Sequence, residues 1–80
     1  MDPDQERKHL AQADRHIAEV KKHITRQRAI VQSAIEKGLP SLDAETLLKT
    51  FEGSLRAFEG HRQLILVSMA TGKGRPLQSS

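Results

Sequence analysis

Three histidines in this chain are spaced by seven: His9, His16 and His23. Imidazoles in such a row suggest two kinds of chemistry, a metal site or a response to pH. A metal within one helix is disfavoured. Seven residues rise ~10.5 Å, whereas one ion needs ligands about 2 Å away, usually from positions i and i+4. His61 on a facing helix would add one ligand near His16 or His23, and two ligands make a weak site. No metal and no cofactor is therefore expected. In the simpler reading, these half-buried imidazoles cover a seam and hydrogen-bond outward. Protonation beside Lys8, Arg15 and Lys22 would crowd positive charge, so His9, His16, His23 and His61 form a candidate pH-sensitive flank. Loosening is expected below about pH 6, where an ordinary histidine titrates.

Lys8, Arg15 and Lys22 repeat by seven beside the histidines. With Arg26 and Arg28 they make a cationic ridge, and residues 15–28 hold five cations against Glu19 alone. The functional reading is contact with phosphates of RNA or DNA. The plainer reading is a solvated helix face. The chain's only aromatics are Phe51 and Phe58, and neither interleaves with the ridge to stack bases, which argues against a single-strand platform. Shape-based contact with a duplex or a folded RNA stays open.

Nothing points to catalysis. There is no cysteine, no glycine-rich phosphate loop and no nucleophile elbow. Ser33, Ser41, Ser54 and Ser68 are explained by helix surface or capping. A thin pair of helices is also expected to lack a pocket of the several-hundred-Å³ kind that substrates need. No small-molecule substrate is expected.

The elements that position these residues follow from heptad spacing. Leu10, Ala13, Ile17, Val20, Ile24, Gln27, Val31 and Ala34 succeed each other at steps of three and four, the a and d positions of a coiled-coil seam. The heptads also look alike: Lys8-His9-Leu10-Ala11, Arg15-His16-Ile17-Ala18, Lys22-His23-Ile24-Thr25. The first helix is predicted over about 4–37 after a lead-in of 1–3. Asp2, Asp4 and Glu6 suit its positive end, and Gly38 and Pro40 stop it. A loop over 38–42 leads to a second helix that starts near Ser41 to Asp43 and runs over about 43–70, with Asp43 a good N-cap and Leu42 able to staple onto Leu47. Its seam is Ala44, Leu48, Phe51, Leu55, Phe58, Arg62, Ile65 and Met69. Residues 71–80, with Gly72, Gly74 and Pro76, read as a disordered tail.

A connection this short forces an antiparallel hairpin. The seams would meet with Ala34 against Leu48 and Val31 against Phe51. Gln27 and Arg62 are polar seam residues, of the sort that cost stability and set register. Asp14, or a carboxylate from a partner, would satisfy Arg62. Gly53 and Gly60 lie inside the second helix, either as tolerated surface glycines or where another backbone comes close.

Eighty residues bury only roughly 60% of the surface of the unfolded chain, and no disulfide adds to that. Self-association is the remaining route. Ile30, Ile35, Leu47, Leu64 and Leu66 lie beside the seams and widen the apolar stripes as bundle helices do. The fold class expected is all-α, an antiparallel hairpin with heptad seams that homodimerises into a four-helix bundle. These five residues are the candidate self-association or partner face.

The N-terminus is acidic and polar, unlike a secretion signal. The longest apolar run, Leu64–Val67, is too short to span a bilayer. A cytoplasmic setting is expected. Adsorption to a membrane surface ranks last, because the seams already house the apolar residues. A net charge of +3 is weak evidence for nucleic acid by itself.

The residues Arg15-His16-Ile17-Ala18, Ile24-Thr25-Arg26-Gln27-Arg28, Gly38, Leu47-Leu48, Phe51-Glu52, Leu55 and His61-Arg62 resemble short helical proteins of rhizobia and related proteobacteria. The resemblance covers most of residues 10–66 and implies a two-helix fold in a bacterial cytoplasm, with no activity and no functional residue carried over. In plan the chain is similar to Rop-type hairpins, which dimerise and bind RNA hairpins, although their RNA-binding face does not map onto these residues. The function expected is a non-enzymatic interaction or regulatory protein with a protein partner. The alternative is a nucleic-acid-binding regulator using the ridge.

Overall fold

The computed structural model describes residues 3–71, which form two helices, α1 (Pro3–Glu36) and α2 (Leu42–Ala70). The lead-in and tail expectations lie outside the described residues, except at Pro3 and Thr71. Proline fits the first turn of α1 because its missing N–H has no helical partner there, and Asp4 and Glu6 follow in the same turn.

The end of α1 is set by Gly38, whose φ of +71° is costly for any residue with a Cβ. That turn lets the Leu39 N–H reach the Ala34 carbonyl at 2.8 Å and the Gly38 N–H reach Ile35 at 3.1 Å. This pair of bonds is a Schellman motif, which satisfies carbonyls the helix would otherwise leave open. Lys37 falls in the turn rather than the helix.

α2 begins at Leu42, within the span Ser41 to Asp43 expected for its start, but with a different cap. Ser41, not Asp43, is the N-cap. Its carbonyl accepts the Glu45 N–H at 2.8 Å, and its hydroxyl donates to the Glu45 carboxylate at 2.5 Å. The shift moves the staple positions to Pro40 and Glu45. Leu42, 74% exposed, is therefore not stapled. At the other end Thr71 caps α2, its N–H bonded to Val67 at 2.9 Å and its hydroxyl to the Ser68 carbonyl at 3.1 Å.

The helices pack antiparallel, with Glu6 beside Ser68, His16 beside Phe58, His23 beside Phe51 and Gln27 beside Ala44. Every predicted seam position on both helices is buried or half-buried. The pairing register is corrected by about one heptad: Phe51 lies against His23, not Val31. A heptad slip keeps all seam residues inward, so periodicity alone cannot choose between registers. Specific polar contacts do choose, as shown below.

The core is thin. Ala13, Val20, Ile24, Ile65 and Gln27 are buried, yet among the described residues no side chain is fully enclosed. The molecule measures 60 × 22 × 13 Å, a single layer of two helices. Among the described residues no helix is long and apolar enough to cross a membrane.

A Cβ at Gly60 would meet nothing within 4 Å, and at Gly53 only the end of the Arg56 side chain at 3.9 Å. No backbone of the same chain approaches either glycine. Gly60→Ala is therefore expected to stabilise the protein by up to about 1 kcal/mol, since alanine is the better helix former. Urea denaturation checks this, and a lower midpoint would show that something else packs there.

Candidate functional site

With the α1 seam as a and d, His9, His16, His23 and Ile30 all fall at g, while Arg7, Asp14, Lys21, Arg28 and Ile35 fall at e. On α2 the g positions are Leu47, Ser54, His61 and Ser68, and the e positions are Glu45, Glu52, Glu59 and Leu66. In an antiparallel pair, g flanks g and e flanks e. The hairpin thus has two broad faces of different chemistry.

The e face is charged and joined up within the chain. Arg62 donates from Nε to the Asp14 carboxylate at 2.6 Å, the first of the two partners anticipated for it. Arg28 meets Glu52 at 3.5 Å. These contacts cross the seam. Both pairs are partly exposed, so each contributes no more than about 1 kcal/mol and acts mainly on register. An open groove of about 570 Å³ lies here, lined in part by Lys21, Ile24, Arg28, Glu52 and Leu55. The expectation of no hollow of that size is therefore corrected. Two side-by-side helices leave a furrow along their flank, though it is open to solvent and not an enclosed site.

The g face carries the histidines. The His23 ring stacks on Phe51 at 5.2 Å and 17°, and the His16 ring tilts over Phe58 at 5.3 Å and 39°. They cover the seam, but as exposed residues rather than half-buried ones. Among the described residues only His9 has an outward hydrogen-bonding neighbour, Gln5, at 3.5 Å. Among the described residues no group of three His, Cys, Asp or Glu side chains is placed to hold a metal ion.

The five residues predicted as one apolar partner face do not share a face. Ile30 (52% exposed) and Leu47 (43%) lie at g, and Leu64 (70%) lies beside them at a c position. Ile35 and Leu66 belong to the e face, where Leu66 is half-buried. Leu39, Leu42 and Val67 are also exposed and were missed. Writing e and g for both helices would have revealed the division.

The cationic ridge is also split. Lys8, Arg15 and Lys22 share the outward f stripe, with Arg26 next to it at c, and all four are exposed. None of these four makes an ion pair or hydrogen bond among the described residues. Arg28 is about a third of a turn away and is taken up by Glu52.

Gln27 is 6% exposed and donates from Nε2 to the Ala44 carbonyl at 3.0 Å. A buried amide needs a partner, and this bond holds the C-terminal third of α1 to the first turn of α2. No family model, curated protein or solved structure matches the chain. The resemblance to short rhizobial proteins therefore rests on the quoted residues alone.

Proposed function

We propose that this chain is a non-enzymatic interaction module, a helical hairpin that homodimerises into a four-helix bundle and presents a helical face to a protein partner. The observation that supports it is a seam with no fully enclosed side chain, accompanied by seven large apolar side chains at 43–74% exposure. A single layer of two helices leaves half of each apolar stripe wet, and a second layer removes it from water. The module acts by burying surface, and no catalytic role is assigned to any residue.

Alanine at Leu47 and Leu64 tests this reading. Sedimentation at micromolar concentration is expected to show weakened self-association, with helicity kept because both side chains are exposed. Leu66→Ala is expected to lower the hairpin's own stability instead. Unchanged assembly in the Leu47 and Leu64 variants would sink the proposal.

A second reading is a nucleic-acid-binding regulator, favoured by the four ridge cations that no carboxylate among the described residues pairs with. It expects duplex or folded RNA or DNA to shift in a gel at about 50 mM salt and to be released by about 200 mM. Glutamate at Lys8, Arg15 and Lys22 should abolish the shift. Absence of any shift at low salt removes this reading.

A further inference from the structure

The two broad faces are unequal partners for another hairpin. The e face is held by cross-helix ion pairs. On the g face the eight flank positions of the two helices, His9 to Ile30 and Leu47 to Ser68, carry no lysine, arginine or carboxylate. A two-fold dimer sets a patch against itself, and an uncharged patch does so without like-charge repulsion. The broad face, 60 × 22 Å, can supply the ~800 Å² per partner of a standard specific interface.

The next row outward on α1 adds an orientation. Glu19 and Arg26 are at c positions seven residues apart, both exposed. Neither has a hydrogen bond or ion pair among the described residues. Two opposite charges on one face, without ion-pair partners among the described residues, complement the same two charges in reverse order. Laying α1 over the partner's α1, antiparallel, brings Glu19 to Arg26 twice. Laying α1 over the partner's α2 instead would set these charges near Ala57 and Thr50, by the helix register already given, and leave them unmatched.

We infer that the histidine-bearing broad face is covered by a second copy of this chain, with the two α1 helices antiparallel and Glu19 of each protomer against Arg26 of the other. Ile30, Leu47 and Leu64 are the apolar side chains that this contact removes from water. The inference rests on the self-association proposed above and adds its face and direction.

Charge exchange tests it with the full chain. Glu19→Arg places two arginines where the copies meet, and Arg26→Glu places two glutamates. Both positions are exposed and both new residues are good helix formers, so circular dichroism should show unchanged helix. Each variant alone is expected to dimerise about tenfold more weakly than the parent by sedimentation equilibrium. An equimolar mixture should recover a tight heterodimer, because the arginine introduced in one variant then meets the glutamate introduced in the other. If the parent is dimeric but the single variants match it, or if mixing restores nothing, the face and direction are wrong while self-association stands. A monomeric parent overturns both.

Discussion

Phe58→Ala is expected to cost the fold about 2 kcal/mol. Truncating a fully enclosed phenylalanine costs about 3–5 kcal/mol, and Phe58 is only half-buried, which lowers the figure. Against a stability of roughly 4–12 kcal/mol for a chain of this size, the loss is large. It is sharpened by the shortage of alternatives, because the chain has two aromatic residues and no disulfide. The ring also gives the His16 imidazole its surface at 5.3 Å, so the substitution frees that side chain as well. Urea denaturation followed by circular dichroism measures the effect. Phe58→Leu should recover most of the loss if apolar volume is what matters. A cost below about 0.5 kcal/mol for the alanine would remove Phe58 from the core.

The second large effect has the opposite sign. Gln27→Leu is expected to raise stability by about 1 kcal/mol and to loosen the register. Burying a leucine at this seam position gains about 2 kcal/mol, while the lost bond to the Ala44 carbonyl gives back about 1 kcal/mol. The carbonyl is not stranded, since it lies in α2 and has a helical partner. What disappears is one of the cross-helix polar contacts that favour the observed register over its heptad neighbours, beside Glu6–Ser68 and Asp14–Arg62. Spin labels on the exposed positions Arg15 and Gly60, in labelled chain diluted into an excess of unlabelled chain so that only the distance within one chain is read, would report a single distance in the parent and a broadened or second distance in the variant. A destabilised variant with one sharp distance would show that apolar packing, not Gln27, sets the alignment.

The seams were legible because burial in a helix pair leaves a period of three and four. All sixteen seam positions read from the sequence are buried or half-buried in the structure. The Asp14–Arg62 pair was also legible, since an arginine in a seam demands a nearby carboxylate. The register was not. A slip of seven residues preserves every inward side chain, and the observed alignment is marked by polar contacts across the seam, among them Gln27 reaching a backbone carbonyl, which no side-chain pattern reveals. The start of α2 was legible to within a residue but its cap was not, because Ser41 and Asp43 are both good cap types; in the structure Ser41 holds that place and bonds to Glu45. The candidate site was half legible. Residue types on the flanks were visible, but their division between two faces required e and g positions from both helices together.

The central claim is that this fold is completed by association. Thermal unfolding of the parent protein at about 1 and about 100 micromolar, with mass measured by sedimentation at each, tests it most directly. If folding and dimerisation are linked, the midpoint rises with concentration by on the order of 5–10 °C, and the folded species has twice the chain mass of 8.9 kDa. A midpoint independent of concentration, with a folded species of 8.9 kDa throughout, would contradict the account.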